Sequence, residues 1–213
     1  MRTAFSHGVG AFLQSPVPLL IRSLVLMAVP SLVLLVWQSA ENLRETNPLF
    51  FWFYLLIWCG GFVVTGYAGW PLARTALAAV SPDYVPGDDD WWVRDGFVRT
   101  TAVFCFTVAV GTVFLVVPAI LVLMIYSLYP FVIVDKKAKG FGSLAMSSEL
   151  GKGNRMPLLG LMLAALLFYA PAIVLFFQVA GAPGILALWV LGAPALSLLA
   201  TIMASAYRIL TSP

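Results

Sequence analysis

Apolar residues in this chain come in long unbroken runs, and charged residues lie between them. No Asp, Glu, Lys or Arg occurs at 23–40, 46–73, 100–134 or 156–207. An uncharged apolar run of about 18 residues or more is long enough to cross the hydrocarbon of a bilayer as a helix. The pattern predicts an all-α integral membrane protein. Two spans follow directly, at 17–38 and 49–70. The last run is interrupted by the turn-forming string Ala180-Gly181-Ala182-Pro183-Gly184 and holds two more, at 157–179 and 185–207.

The stretch from Phe97 to Val134 needs a second argument. As one straight helix it would measure about 57 Å, nearly twice the roughly 30 Å hydrocarbon core. Folding back near Pro118 divides it into spans at 97–117 and 119–134. Lys and Arg collect in cytoplasmic loops. With six spans and both termini inside, every Lys and Arg except Arg44 falls on that side. With five, the cluster at 136–155 and Arg208 would face outward. The expected fold is a six-span helical bundle, one transmembrane domain over 1–213, in a cell inner membrane with cytoplasmic termini. The rings of Trp37, Phe50, Phe51, Trp52, Trp91, Trp92 and Tyr207 fall near span ends, where amphipathic rings favour the headgroup zone.

Two longer cytoplasmic connections, 71–96 and 135–156, are expected to form interfacial amphipathic elbows. In the second, Phe141, Leu144, Ala145 and Leu150 can share one side of a short helix. Ser143, Ser147, Ser148 and Lys152 then supply the wet side. The N-terminal segment has a similar stripe in Phe5, Val9, Phe12 and Leu13.

Composition narrows the class. The chain has 213 residues, 62% hydrophobic and 10% charged, with mean hydropathy +0.98. Soluble domains carry about 25% charged residues, so a water-soluble core is excluded. No continuous apolar run precedes Pro16, and the first span is expected to be retained rather than cleaved as a signal peptide. Cys59 and Cys105 both lie in apolar runs and are expected to be buried thiols, without a disulfide or zinc site.

Candidate chemistry is sparse. His7 has no carboxylate nearby in sequence, and no metalloprotease, nucleophile-elbow or phosphate-loop motif occurs. The spans lack the charged residues that mark proton and ion pathways. No catalytic, cofactor-binding or metal-binding residues are expected. The Asp88, Asp89, Asp90 string is expected to be a solvated turn. Arg22 enters the first span and can snorkel to the inner interface. With Lys136, Lys137, Lys139, Lys152, Arg155, Trp91 and Trp92, it is a candidate for contact with lipid or the membrane surface. Gly61, Thr65 and Gly69, and likewise Ser197, Thr201 and Ser205, form small-residue stripes suited to close helix packing. Pro118, Pro171 and Pro194 are candidate kink points.

The segment 111–155 also carries a pattern of its own. Gly111 to Pro118 is an apolar run ending in Pro, and Tyr129-Pro130 and Asp135 follow. A helix then bears Ala145, Ser148, Leu150 and Gly153. This resembles a group of bacterial membrane domains, including the one attached to some glycerophosphoryl diester phosphodiesterases and related stand-alone proteins. The usual Pro-Gly pair is here Pro118-Ala119, a departure at the sharp turn. The resemblance implies a helical bundle with interfacial elbows in a bacterial inner membrane. It carries no phosphodiesterase activity, because that catalytic domain is not in this sequence.

The expected function is that of a non-catalytic accessory or scaffolding protein that packs with lipids and with another membrane protein or a second copy. The alternative is a small permease or lipid-handling subunit with a pathway between kinked helices. A membrane enzyme ranks third, and no nucleic-acid partner is expected.

Overall fold

A computed structural model describes residues 2–39, 49–81, 83–84, 91–114, 116–179 and 181–212. Every regular element among them is a helix: α1 (Arg2–Gln14), α2 (Pro16–Ser39), α3 (Leu49–Val80), α4 (Trp91–Phe114), α5 (Val116–Tyr126), α6 (Tyr129–Val134), α7 (Gly142–Leu150), α8 (Arg155–Leu167), α9 (Ala170–Gln178) and α10 (Ala182–Thr211). Four stretches are long and apolar enough to cross a membrane: Pro16–Ser39, Trp52–Val80, Val117–Val134 and Ala182–Thr211. The bent pair α8–α9 makes a fifth if taken as one span.

Four packed pairs run antiparallel, while α3 and α10, each antiparallel to α2, pack in parallel. Between α2 and α3, Arg22 meets Pro71, Gly61 faces Val29 and Val33, and Trp37 meets Tyr54. Gly69 faces Phe97 and Gly66 faces Val98 across α3 and α4. Thr101 meets Tyr129 and Gly111 faces Ala119, so α5 and α6 fold back along α4. Ser23 meets Ser197, and Gly192 lies against Met27, between α2 and α10.

The reversal between α4 and α5 falls one turn earlier than Pro118, which sits in the first turn of α5. Proline is tolerated there because an amide at that position has no intrahelical partner. A Cβ on Gly111 would come 3.1 Å from the Ala119 amide nitrogen. The tight crossing of this hairpin therefore depends on Gly111, in place of the missing glycine after Pro118.

Two helices are longer than a bilayer needs. α3 has 32 residues and α10 has 30, so they measure about 48 Å and 45 Å at 1.5 Å per residue. Their extra turns contribute to the buried core. Trp70, Leu77, Leu128, Ile133, Leu158, Ile202 and Tyr207 are all buried in one core at this end. Elsewhere the helices leave large apolar side chains exposed, such as Trp52 (62%) and Leu56 (71%). That is the surface a hydrocarbon solvent selects. Among the described residues no Asp, Glu, Lys, Arg or His is buried, whereas ten Ser and Thr are.

The connections differ from the sequence expectation. Of the first elbow, 71–80 continues α3 and 91–96 opens α4; the intervening residues are mostly outside the described ones. Pro71 does not end α3, which runs through it to Val80. The second elbow does contain a short helix, α7, rotated from the expected facing: Leu144 and Leu150 pack against the core and Lys152 is exposed, as expected, but two serines are buried as well. Ser143 and Ser147 are fully buried, while Phe141 is 59% exposed. Both serines are satisfied by backbone, Ser143 within its own segment and Ser147 on a neighbouring one. Ser143 Oγ donates to the Gly140 carbonyl at 2.7 Å, and Ser147 serves the break between α5 and α6.

The N-terminal helix is similarly rotated. Ala4, Gly8 and Ala11 form its buried face; Phe5, Val9 and Phe12 pack beside the core, and Leu13 is exposed. A Cβ on Gly8 would lie 2.6 Å from the Ile202 Cα. Small residues, rather than the large stripe, allow the two helix backbones to approach.

Of the expected kinks, Pro171 marks the 48° bend between α8 and α9. It has no N–H for the Leu167 carbonyl, and its ring crowds that oxygen. Pro194 lies inside an unbroken α10, and Pro30 inside α2.

Candidate functional site

The described side chains give three places where chemistry could gather: a polar rim at the densely packed end, the membrane-surface cations, and a central cavity.

The rim is built from chain ends and long helices. Tyr207 donates its phenol proton to Asp135 Oδ2 at 2.8 Å. Arg208 bonds the Ser81 hydroxyl, and the Tyr84 hydroxyl donates to the Val134 carbonyl at 3.4 Å. Burial raises the Tyr84 phenol above its ordinary value, opposed by the nearby Arg74 cation. Arg74 also stands over the Trp70 ring, 5.7 Å from its centroid. Asp135 thus ties the end of α6 to the end of α10. Tyr207, read from sequence as a belt residue, is fully buried; its position near a span end carried no sign of this pairing.

The sequence-predicted surface residues are not brought together. Arg22 is half-buried and donates to the Pro71 carbonyl at 2.6 Å, which the Thr75 hydroxyl also bonds. Lys136, Lys137, Lys139 and Lys152 are exposed. Arg155 is half-buried, with its Nε unpartnered. Trp91 and Trp92 are exposed and stack on each other at 3.7 Å between centroids. His7 Nδ1 lies 3.1 Å from Ser205 Oγ. Cys59 is exposed, and Cys105 partly so. The Asp88–Asp90 string lies outside the described residues.

Both small-residue stripes are used inside the chain. Ser197, Thr201 and Ser205 are fully buried. Ser197 Oγ donates to Ser23 at 2.7 Å, and Thr201 folds onto its own helix. Gly61 lies against α2, Gly69 lies against Phe97, and Thr65 donates to the Gly61 carbonyl. A close approach of α3 to α4 falls at Gly66, which the stripe did not include; a Cβ there would be 2.8 Å from the Val98 Cα. Hydrogen bonds between membrane helices average about 0.6 kcal/mol, so close packing, not hydroxyl pairing, holds most of this bundle.

The central cavity lies between α2, α3, α4, the α5–α6 segment, α8 and α10, with a volume of about 300 Å³. Its wall is apolar apart from Thr65, Thr101, Ser127 and Tyr129. Tyr129 donates to Thr101 Oγ1 at 3.0 Å, and both residues are buried. A second space of about 700 Å³ runs along the lateral face between α3, α4 and α5, past Tyr54, Trp58 and Phe62. The two share Phe104, Cys105 and Leu123 as wall. Among the described residues, neither is lined by Asp, Glu, Lys, Arg or His. What this arrangement can do is hold an uncharged, mostly apolar molecule.

Compared with protein-family models, with curated proteins and with solved structures, the chain matches none.

Proposed function

We propose that this chain is a non-catalytic inner-membrane protein that crosses the bilayer six times, with both termini cytoplasmic, and serves as an accessory that retains lipid and packs against other membrane components. Its resemblance to the membrane domains described above belongs to the same proposal. One observation carries it: a dense core at the basic end supports an open outer half, and lateral space there reaches into the bundle between α3, α4 and α5. A space of several hundred Å³ that opens toward hydrocarbon is filled by lipid chain, since a void forfeits the contacts of its walls.

The sixth crossing rests on α4. Counting it as a span pairs it with the returning α5–α6 segment, along which it packs antiparallel. The lysines at 136, 137 and 139 then share a side with Arg74, Arg94 and Arg208. The alternative, a lipid-handling permease, draws support from the walls common to the cavity and the lateral groove.

Native mass measurement after gentle detergent extraction tests the accessory reading. Retained lipid, or a second protein held in fixed stoichiometry, is the expected result. A bare monomer, stripped of both under conditions that keep it folded, would overturn it.

A further inference from the structure

The threonines of this bundle share a habit that one of them breaks. Thr65, Thr75, Thr100, Thr107, Thr112 and Thr211 each donate to the carbonyl four residues back. Such back-bonding is what a hydroxyl does inside a helix when nothing better is offered. Thr101 instead accepts the phenol proton of Tyr129. Two hydroxyls hold two protons, and their mutual bond uses one. Among the described contacts no acceptor takes the other. Thr101 is 5% exposed and Tyr129 4%, and both line the central cavity. A buried donor of this kind is costly to leave unmade.

We propose that the cavity and the lateral groove are one binding site for a neutral amphiphile. Its hydrogen-bond-accepting oxygen sits at Thr101, and its apolar chain runs past Phe104, Cys105 and Leu123 into the groove beside Trp58. Three features set the chemistry of this ligand. The unused hydroxyl proton asks for an acceptor, such as an ester or ketone oxygen. Among the described residues neither wall has an Asp, Glu, Lys, Arg or His, which disfavours a charged head, since it would be buried without a counter-ion. The groove, with Leu55 and Trp58 partly open on its face, asks for a chain that arrives sideways from the hydrocarbon. This inference rests on the lipid-retaining reading above and names the class of lipid retained.

Photolabelling of the full chain in nanodiscs tests it. The probes are a diacylglycerol with a diazirine on one acyl chain and a phosphatidylcholine bearing the same chain. The diacylglycerol is expected to label the Phe104–Leu123 wall in preference to the phosphatidylcholine. Unlabelled diacylglycerol should compete, and hexadecane, which has no oxygen, should not. T101V is expected to lower labelling about three- to tenfold, the worth of one hydrogen bond, while T101S and T107V retain it. Equal labelling by both probes, competition by hexadecane, or full labelling of T101V would overturn the proposal. Loss in T101S as well as T101V would also overturn it, since the hydroxyl would then not be the recognising group. In each of these cases lipid retained in the native mass measurement would leave the accessory reading standing.

Discussion

Tyr207, one turn from the end of the last helix, donates its phenol proton to Asp135 at 2.8 Å, closing the last helix of the bundle onto its middle. The two are 72 positions apart in sequence. Tyr207 packs near Phe131 as well, with ring centroids 6.0 Å apart. Removing the hydroxyl alone keeps that ring contact. Y207F is therefore expected to cost about 1.5–3 kcal/mol, the range for hydrogen bonds to charged groups. D135N, which keeps an oxygen acceptor, should cost less. Detergent melting curves of the two variants check the order, and an unchanged midpoint for Y207F would show that the bond is idle.

Ser147 stands under the break between α5 and α6. Its hydroxyl accepts the Leu128 amide at 3.2 Å and lies 3.4 Å from the Ile125 carbonyl. In effect one side chain replaces the backbone partners that the break removes. S147A leaves a buried amide without an acceptor, and a loss of about 1–3 kcal/mol is expected. S148A, on the more open side of the same helix, serves as the control in a thermal-shift comparison. Equal destabilisation by both would refute the special role of Ser147.

Gly66 and Gly60 lie on the same helix in opposite situations. A Cβ at Gly66 would come within 2.8 Å of the Val98 Cα, while one at Gly60 meets nothing within 4 Å. G66A should force α3 and α4 apart and cost about 1–3 kcal/mol, the usual range for overpacking. G60A should be neutral or slightly stabilising, because alanine loses less chain entropy than glycine. Melting midpoints that move together would contradict this account of the α3–α4 crossing.

The proposed topology of six crossings would put the α6–α7 connection on the cytoplasmic side. A Cys introduced at the exposed Lys137, in a C59S/C105S background, is expected to resist an impermeant maleimide in intact cells and to react once the membrane is opened. A Cys at Arg44 should show the reverse. Ready labelling of position 137 from outside would discard the six-span topology.

The apolar runs alone were sufficient to place helices in a membrane, because bilayer thickness is a one-dimensional requirement that consecutive residues either meet or fail. The α-helical class and three of the four spanning stretches were legible on that basis; the fourth, Val117–Val134, and the reversal before it also needed the length of 97–134 and the distribution of Lys and Arg. Ser197, Thr201 and Ser205 share a helix side because they are four apart, and that side is buried. What could not be read was which partner each polar group takes. Ser143 and Ser147 look like the wet side of an amphipathic helix until the broken end of α5 supplies Ser147 with backbone to bond and Ser143 bonds the Gly140 carbonyl of its own segment. Thr101 looks like Thr100 until Tyr129 arrives from 28 positions away. Hydrophobic length is a property of one segment; hydrogen-bond choice and close approach are properties of two segments brought together, and folding had to occur before either could be settled.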